Sequence, residues 1–244
     1  MKLNELNFEP RQVKQTNAVE YRGAIHNAAA KRNMRAQREV DAWKDKDPSK
    51  INYLGSGAYG TAYNLPRKTN TVVKIGNVEG NRVGTDGYLT FIKFVKAAQD
   101  EGQSNPYLPQ IHDVKMLKDR IGRVFYKVRM EKLDPLPYFS EKQEDLWPIW
   151  QKILHTDQEG AMEYVSKHRS VAHPMLSLLQ LINDGIENPR SPKMKQIDPQ
   201  LKAAMILINK AMHASKTETD IGPHNVMIRR TPYGPQLVVL DPLA

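Results

Sequence analysis

A glycine-rich segment set between two strand patterns constrains the fold of this chain most strongly. Residues 55–60 read Gly-Ser-Gly-Ala-Tyr-Gly. Strand-forming residues precede the segment at 51–54 and follow it at 61–65, whereas a dinucleotide-binding fold needs a helix directly after its glycines. Glycines in such a hairpin let backbone N–H groups approach a phosphate, although a tight turn alone also explains them.

The pattern beyond this hairpin predicts an α+β protein. In the first part, strands are predicted at 71–75, 108–117 and 123–130, with a helix at 86–100 lying on the sheet that they form. In the second part, helices are predicted at 141–154, 158–168, 174–186 and 199–215, and two short strands at 226–230 and 236–240. We expect the helix at 199–215 to turn inward a stripe of Ala203, Ile206, Leu207, Lys210 and Ala211. The predicted domains are a helical extension over 1–50, a β-rich part over 51–133 and a mostly helical part over 134–244.

Composition excludes several classes of protein. Of the 244 residues 40% are hydrophobic and 26% are charged, and no run of them is apolar enough to cross a membrane. The absence of cysteine excludes disulfides, thiolate metal sites and a cysteine nucleophile. We therefore expect a cytoplasmic protein with no membrane partner.

An excess of basic residues predicts acidic partners. Lysine and arginine outnumber aspartate and glutamate by 36 to 27, which gives a net charge of +9. Nucleotide phosphates, nucleic acid and acidic protein surfaces all fit this charge. A helix predicted at 17–46 places Lys31, Arg35 and Arg38 on one face, which either binds nucleic acid or a protein or is simply solvated.

Lys74 is the first candidate for chemistry outside the glycine segment. It lies within the apolar strand Val72-Val73-Lys74-Ile75. A charge in such a strand costs free energy unless it has a partner, and bound phosphates would be one. A lysine whose ammonium group extends to water from the edge of the sheet is the alternative.

The C-terminal region supplies the second group of candidates. Asp220 can orient a hydroxyl group, and the side-chain oxygen of Asn225 can bind Mg²⁺, although a turn rich in Asp and Asn also explains both. If the last two strands pair, a hairpin centred on Tyr233 places Asn225 opposite Asp241 at its open end. An amide oxygen beside a carboxylate is a site that Mg²⁺ prefers.

Together these residues resemble the motifs of the protein-kinase superfamily. The glycine loop is matched by Gly55, Gly57 and Gly60, the strand lysine by Lys74, the catalytic loop by Asp220 and Asn225, and the metal-binding aspartate by Asp241. The resemblance implies ATP and Mg²⁺ as cofactors. It implies that Asp220 and Lys74 are catalytic, that Asn225 and Asp241 bind the metal, and that ATP contacts Gly55, Ser56, Gly57, Ala58, Tyr59, Gly60, Lys74 and Glu131.

The implied fold is a minimal bilobal kinase fold with a hinge at Arg129–Leu133. Residues Ile51 to Leu243 resemble most the early-gene serine/threonine kinases of short-tailed bacteriophages. That resemblance implies phosphoryl transfer to Ser or Thr of host proteins in the bacterial cytoplasm.

Departures from the kinase pattern keep two other functions open. The helix predicted at 86–100 contains no glutamate to pair with Lys74, Pro242 stands where kinases have phenylalanine, and no activation segment follows. A kinase-like protein that binds and inhibits a host enzyme without catalysis is one alternative. A small-molecule kinase of the aminoglycoside-phosphotransferase type, which shares the Asp-to-Asn spacing, is the other.

Overall fold

The described part of this chain combines two antiparallel sheets with a set of α-helices. The structure is a computed structural model that describes residues 52–57, 60–65, 68–78, 86–118, 124–136, 146–168 and 173–243. The helix predicted at 17–46 lies outside these residues.

The first unit contains a five-stranded antiparallel sheet. Its strands are β1 (Asn52–Gly57), β2 (Gly60–Leu65), β3 (Lys68–Asn77), β4 (Ile111–Lys118) and β5 (Val124–Glu131), in the order β1-β2-β3-β5-β4. Side chains alternate between the two faces of a strand, so the apolar residues at every second position gather on one face. That face carries a core of Tyr63, Val73, Ile75 and Phe125.

The second unit combines helices with a small sheet. Its helices are α1 (Gly87–Asp100), α2 (Trp147–Leu154), α3 (Gln158–His168), α4 (Pro174–Glu187) and α5 (Pro199–Ser215), with a 3₁₀ helix at Pro192–Gln196. Strands β6 (Asp134–Pro135), β7 (Val226–Thr231) and β8 (Gly234–Val239) form an antiparallel sheet in that order. The two-residue strand β6 was not predicted, because Pro135 and its neighbours have the sequence of a loop.

Helix α5 lies at the centre of the second unit and packs against α1 and α4. It begins at Asp198, whose Oδ1 accepts hydrogen bonds from the backbone N–H groups of Gln200 (2.7 Å) and Leu201 (3.1 Å). The imidazole Nε2 of His155 lies 3.1 Å from the other carboxylate oxygen of Asp198. The start of this central helix is therefore fixed by side-chain contacts.

The buried face of α5 differs from the predicted one. Residues spaced three or four apart are buried along it, namely Leu201, Ala204, Met205, Ile208, Ala211 and Ser215. Ala203 and Lys210 are exposed, and Ile206 and Leu207 are only half-buried, so the prediction was right for Ala211 alone. Because apolar residues lie on more than one face of this helix, packing with α1 and α4 determines which face is buried.

The two units are discontinuous along the chain. One contains the described residues up to 78 together with those between 112 and 131, and the other contains the described residues of 86–111 and those from 132 onwards. The prediction that the helix at 86–100 lies on the first sheet is corrected, since α1 belongs to the second unit and packs on α5. The chain passes from the first unit to the second between Glu131 and Lys132, which lie in the segment Arg129–Leu133 where a hinge was predicted. An antiparallel sheet in the N-terminal part and mainly helices in the C-terminal part match the α+β arrangement predicted for a reduced kinase-like chain.

A pair of isoleucines on α5 tests which face is buried. We expect Ile208→Ala to lower the free energy of unfolding by about 2–5 kcal/mol, because it leaves a cavity at a fully buried site. Ile206→Ala removes the same atoms from a half-buried site and should cost clearly less. Urea denaturation followed by circular dichroism measures both, and equal losses would contradict the burial described here.

Candidate functional site

The β7–β8 hairpin brings the candidate metal ligands to one end of the small sheet. Asn225 directly precedes β7, and Asp241 follows β8 by two residues. The backbone carbonyl of Asn225 accepts hydrogen bonds from two N–H groups, those of Leu240 (2.8 Å) and Asp241 (3.2 Å). The backbone hydrogen bonds therefore place the segment of Asn225 next to that of Asp241, as predicted.

The register of this hairpin differs by one residue from the predicted one. Thr231 pairs with Gly234 and Val226 with Val239, so the hairpin centres between Pro232 and Tyr233 rather than on Tyr233. The proline ring fixes a negative φ at the first turn position, and Gly234, at φ 92°, supplies the left-handed residue that follows such turns in hairpins. Continuing this register places Asn225 opposite Leu240, one residue before Asp241.

The loop that carries Asp220 is joined to both of these segments. The N–H of Asp220 donates to the carbonyl of Pro242 (2.7 Å), and its own carbonyl accepts a hydrogen bond from Nδ2 of Asn225 (2.6 Å). Thr219 also forms an isolated antiparallel bridge with Leu243. The backbone of Asp220 is thereby held on two sides.

Two side chains of this junction, those of Asp220 and Asn225, keep oxygen atoms without a partner among the described residues. Asp220 is exposed, and its carboxylate has no hydrogen bond or ion pair within the described part of the chain. Because Nδ2 of Asn225 donates to a carbonyl, the orientation of that amide is fixed, and its Oδ1 has no partner among the described residues. Asp241 is half-buried. The junction therefore presents one amide oxygen and two carboxylates, and hard cations bind such oxygens.

A buried tyrosine lies near Asp241. Tyr88, the second residue of α1, is only 3% exposed. Burial, followed by the negative charges of Asp241 and Asp86, raises the pKa of Tyr88 well above its ordinary value. The phenol is therefore neutral at physiological pH, and it can donate a hydrogen bond. Sequence spacing gave no indication of this neighbour, because α1 and the C-terminal strands are far apart along the chain.

An arginine that the sequence analysis did not single out anchors the hairpin to the segment after α1. The guanidinium of Arg229 donates to the carbonyls of Pro106 (2.7 Å) and Leu108 (2.9 Å). The N–H of Val239 donates to the carbonyl of Tyr107 (2.9 Å). These bonds fix the strands that lead into the candidate site, and no local motif predicts them.

The glycine segment forms the predicted hairpin between β1 and β2. Gly55, Ser56 and Gly57 are the last residues of β1 and pair with Ala62, Thr61 and Gly60, while Ala58 and Tyr59 lie outside the described residues. A Cβ atom added to Gly60 would lie 2.7 Å from the carbonyl oxygen of Ile75. Close approach of β2 to β3 therefore requires glycine at position 60, whether or not a phosphate binds.

Lys74 occupies the middle of the sheet in the first unit. It pairs with Ala62 on β2 and Val128 on β5, so a lysine at the edge of the sheet is excluded. Its neighbours Val73 and Ile75 are buried on the opposite face, and Lys74 itself is half-buried. Glu131 ends β5, where it pairs with Thr71. The structure leaves the binding roles of Lys74 and Glu131 as predictions.

The described residues contain neither a conventional metal cluster nor a membrane-spanning helix. No group of three or more His, Cys, Asp or Glu side chains is arranged to hold a metal ion there. None of the described helices is long and apolar enough to cross a membrane.

Comparison with known proteins finds only distant likenesses. No protein-family model matches the sequence, and no curated protein matches it significantly. A MAP kinase from Leishmania major, LmaMPK10, is similar over 85% of this chain and 50% of its own, with 12% identity and a TM-score of 0.37. Wild-type aminoglycoside 2′-phosphotransferase-IIIa in complex with GDP is similar over 84% of this chain and 72% of its own, with 13% identity and a TM-score of 0.36. The chain thus spans only half the length of this MAP kinase.

The steric role of Gly60 can be tested against a second glycine. Gly60→Ala should destabilise the protein by about 1–3 kcal/mol, because the added methyl group meets a backbone carbonyl that cannot move without disturbing β3. Gly222→Ala adds the same methyl group where no atom lies within 4 Å, so its effect should stay within about 1 kcal/mol. Urea denaturation measures both variants. A stable Gly60→Ala protein would show that the strands can separate at this point.

Proposed function

We propose that this protein is an ATP- and Mg²⁺-dependent kinase that phosphorylates serine or threonine of another protein. One observation carries the proposal: Asn225 donates a hydrogen bond to the carbonyl of Asp220 and accepts one from the N–H of Asp241, while its own Oδ1 has no partner among the described residues. A merely structural turn has no need to combine a fixed amide oxygen with two carboxylates at one junction. The kinase motifs recognised in the sequence coincide with these same three residues.

The oxygen donors at the junction fit Mg²⁺. Asn225 and Asp241 offer an amide oxygen and a carboxylate, which are hard ligands, and a cation with bound phosphates would complete the coordination. When bound, Mg²⁺ would neutralise charge on the ATP phosphates. Asn225 and Asp241 are the residues that would hold it.

Asp220 is the residue proposed to act on the hydroxyl substrate. Its backbone is held by Pro242 and Asn225, and its exposed carboxylate can accept a hydrogen bond from a serine or threonine hydroxyl. In the transfer, the hydroxyl oxygen bonds to the γ-phosphorus, the bond from that phosphorus to the bridging oxygen breaks, and ADP leaves. The hydroxyl proton passes to the Asp220 carboxylate.

The roles proposed for the first unit come from the sequence resemblance. Lys74 would bind ATP phosphates through its ammonium group, residues 55–60 would cover them, and Glu131 would contact ATP at the hinge. The central position of Lys74 in the sheet favours such a role, since a partly buried ammonium group gains from an anionic partner. A host protein in an infected bacterial cytoplasm is the proposed substrate, following the resemblance to phage kinases.

Phosphoryl transfer should depend on four side chains. We expect Lys74→Met, Asp220→Ala, Asn225→Ala and Asp241→Ala each to lower transfer by more than about a hundredfold, the usual cost of losing a fixed charge or a metal ligand. Glu218→Gln, an exposed neighbour of Asp220, should leave transfer unchanged. The assay uses labelled ATP, Mg²⁺ and bacterial lysate, and melting curves check that each variant folds.

Three results distinguish the proposed activity from its alternatives. Label on serine or threonine of lysate proteins, lost in the Asp241 variant, supports the proposal. Transfer to kanamycin but not to protein would instead identify a small-molecule kinase. Equal transfer by wild type and the Asp241 variant, or transfer by neither, would overturn the enzymatic function and leave a binding protein.

A further inference from the structure

A positively charged segment connects α4 to α5. Residues 188–197, here called the basic loop, contain Arg190, Lys193 and Lys195 and no acidic residue. All three side chains are exposed, and none has a hydrogen bond or an ion pair within the described part of the chain. The basic loop therefore presents three cations to solvent that no carboxylate of the described residues neutralises.

Local hydrogen bonds hold the backbone of the basic loop in one shape. The N–H of Ser191 donates to the carbonyl of Asn188 (3.1 Å), and the N–H of Met194 donates to that of Ser191 (3.0 Å). Oγ of Ser191 caps the 3₁₀ helix by accepting a hydrogen bond from the N–H of Lys193 (3.2 Å). Two prolines in the same stretch restrict φ further. A partner that binds this loop does not have to order it first, which favours affinity.

A buried methionine anchors the basic loop to the helices beside it. Met194 is only 1% exposed, although the lysines on both sides of it in the sequence face solvent. A Cβ atom added to Gly185 of α4 would lie 3.1 Å from Sδ of Met194 and 2.8 Å from Cε of Met205 in α5. Nδ2 of Asn209 donates to the carbonyl of Ile186 (2.8 Å), which joins the end of α4 to α5. The charged side chains are therefore displayed on a loop that is packed against the second unit.

The size and composition of the basic loop favour an acidic protein segment over nucleic acid. Its charges fall within residues 190–195, which span about 10 Å at the 2.0 Å rise of a 3₁₀ helix. An extended segment with neighbouring Asp or Glu residues carries about three carboxylates over that length. Duplex DNA is usually bound through about 6–10 phosphates, and single-stranded sites stack bases on aromatic side chains. Residues 188–199 contain no aromatic residue.

We propose that the basic loop is a docking surface for an acidic segment of the protein substrate. Arginine and lysine donate charge-assisted hydrogen bonds to carboxylates, and the side chains of this loop have no competing partner among the described residues. The inference rests on the proposed function, since the docked protein is the one that is phosphorylated.

The basic loop lies at a distance from the residue proposed to act on the hydroxyl. Its anchor packs beside Met205 in the first half of α5, whereas Asp220 follows Ser215, the last residue of α5, by five positions. At 1.5 Å per residue, α5 spans about 15–25 Å from Met205 or Pro199 to its end. An extended peptide covers that length with about 5–8 residues. We therefore expect the acidic segment to lie at least about five residues from the phosphorylated serine or threonine.

Removal of two charges tests the docking surface without any need for catalysis. The probe is a fluorescein-labelled peptide of eight glutamates, and fluorescence polarisation measures its Kd at low salt. We expect Lys193→Gln with Lys195→Gln to raise the Kd about fivefold, and Lys193→Glu with Lys195→Glu to raise it further, because like charges then repel. Lys193→Arg with Lys195→Arg keeps both charges and should stay within about twofold of wild type.

Two exposed lysines on other helices provide the matched control. Lys93 in α1 and Lys167 in α3 are exposed, so Lys93→Gln with Lys167→Gln removes the same net charge elsewhere. This variant should bind the glutamate peptide within about twofold of wild type. Equal losses in the two pairs of variants would show that overall charge attracts the peptide and would overturn the proposal. Tighter binding of a single-stranded or duplex oligonucleotide through the same two lysines would overturn it in favour of nucleic acid.

Peptide substrates connect the docking surface to phosphoryl transfer. Each peptide joins a serine to the glutamate segment through a Gly-Ser linker of either two or ten residues. In wild type the longer linker should lower KM about fivefold or more with kcat unchanged, because docking raises the effective concentration of the serine. The Lys193→Gln, Lys195→Gln variant should lose this difference in KM and keep kcat.

The two assays separate the failure of this inference from that of the proposed function. Phosphorylation of both peptides with equal KM, or transfer by wild type without binding of the glutamate peptide, would overturn the docking surface alone. Lysine-dependent binding of the glutamate peptide without transfer to any protein or peptide would overturn the proposed function, and with it the claim that the docked protein is a substrate.

Discussion

The side chain and backbone of Asn225 form the junction on which the candidate site depends. Its amide Nδ2 holds the carbonyl of Asp220, and its carbonyl holds the N–H groups of Leu240 and Asp241. One residue therefore links a loop, the start of β7 and the segment after β8. Because both groups of Asn225 are used in this way, the remaining amide oxygen has a fixed direction, and a metal ligand benefits from such preorganisation.

Local patterns predicted the hairpins of this protein well. The glycine hairpin of β1 and β2, the central strand with Lys74 and the β7–β8 hairpin all follow from alternating apolar residues between turn signals, which are local properties of the chain. The predicted pairing of β7 with β8 was wrong by one residue. A hairpin centred on Tyr233 needs an odd number of residues in its turn, whereas the observed turn has two, Pro232 and Tyr233. The equal spacing of Asn225 and Asp241 from the turn nevertheless predicted correctly that their two chain segments are adjacent.

Contacts between distant parts of the chain were not predictable in the same way. The buried face of α5 is chosen by its neighbours α1 and α4, since the helix has apolar residues on several faces. The contacts of Gly87 with Thr217 and Leu243, and those of Arg229 with Pro106 and Leu108, join residues more than a hundred positions apart. The apolar periodicity of a single helix or strand does not predict such long-range contacts. The residues that surround Asp241 were therefore not predictable from the sequence.

The discontinuous second unit has a consequence for biosynthesis. Helix α1 ends at Asp100, and its partner α5 begins only at Pro199. At translation rates of about 5–20 residues per second, α1, with its apolar residues Phe91, Ile92 and Val95, is synthesised roughly 5–20 seconds before α5, the helix against which it packs. A nascent chain with α1 exposed for that long is a target for chaperones and for aggregation, so the yield of folded protein should depend on how quickly the C-terminal half is made.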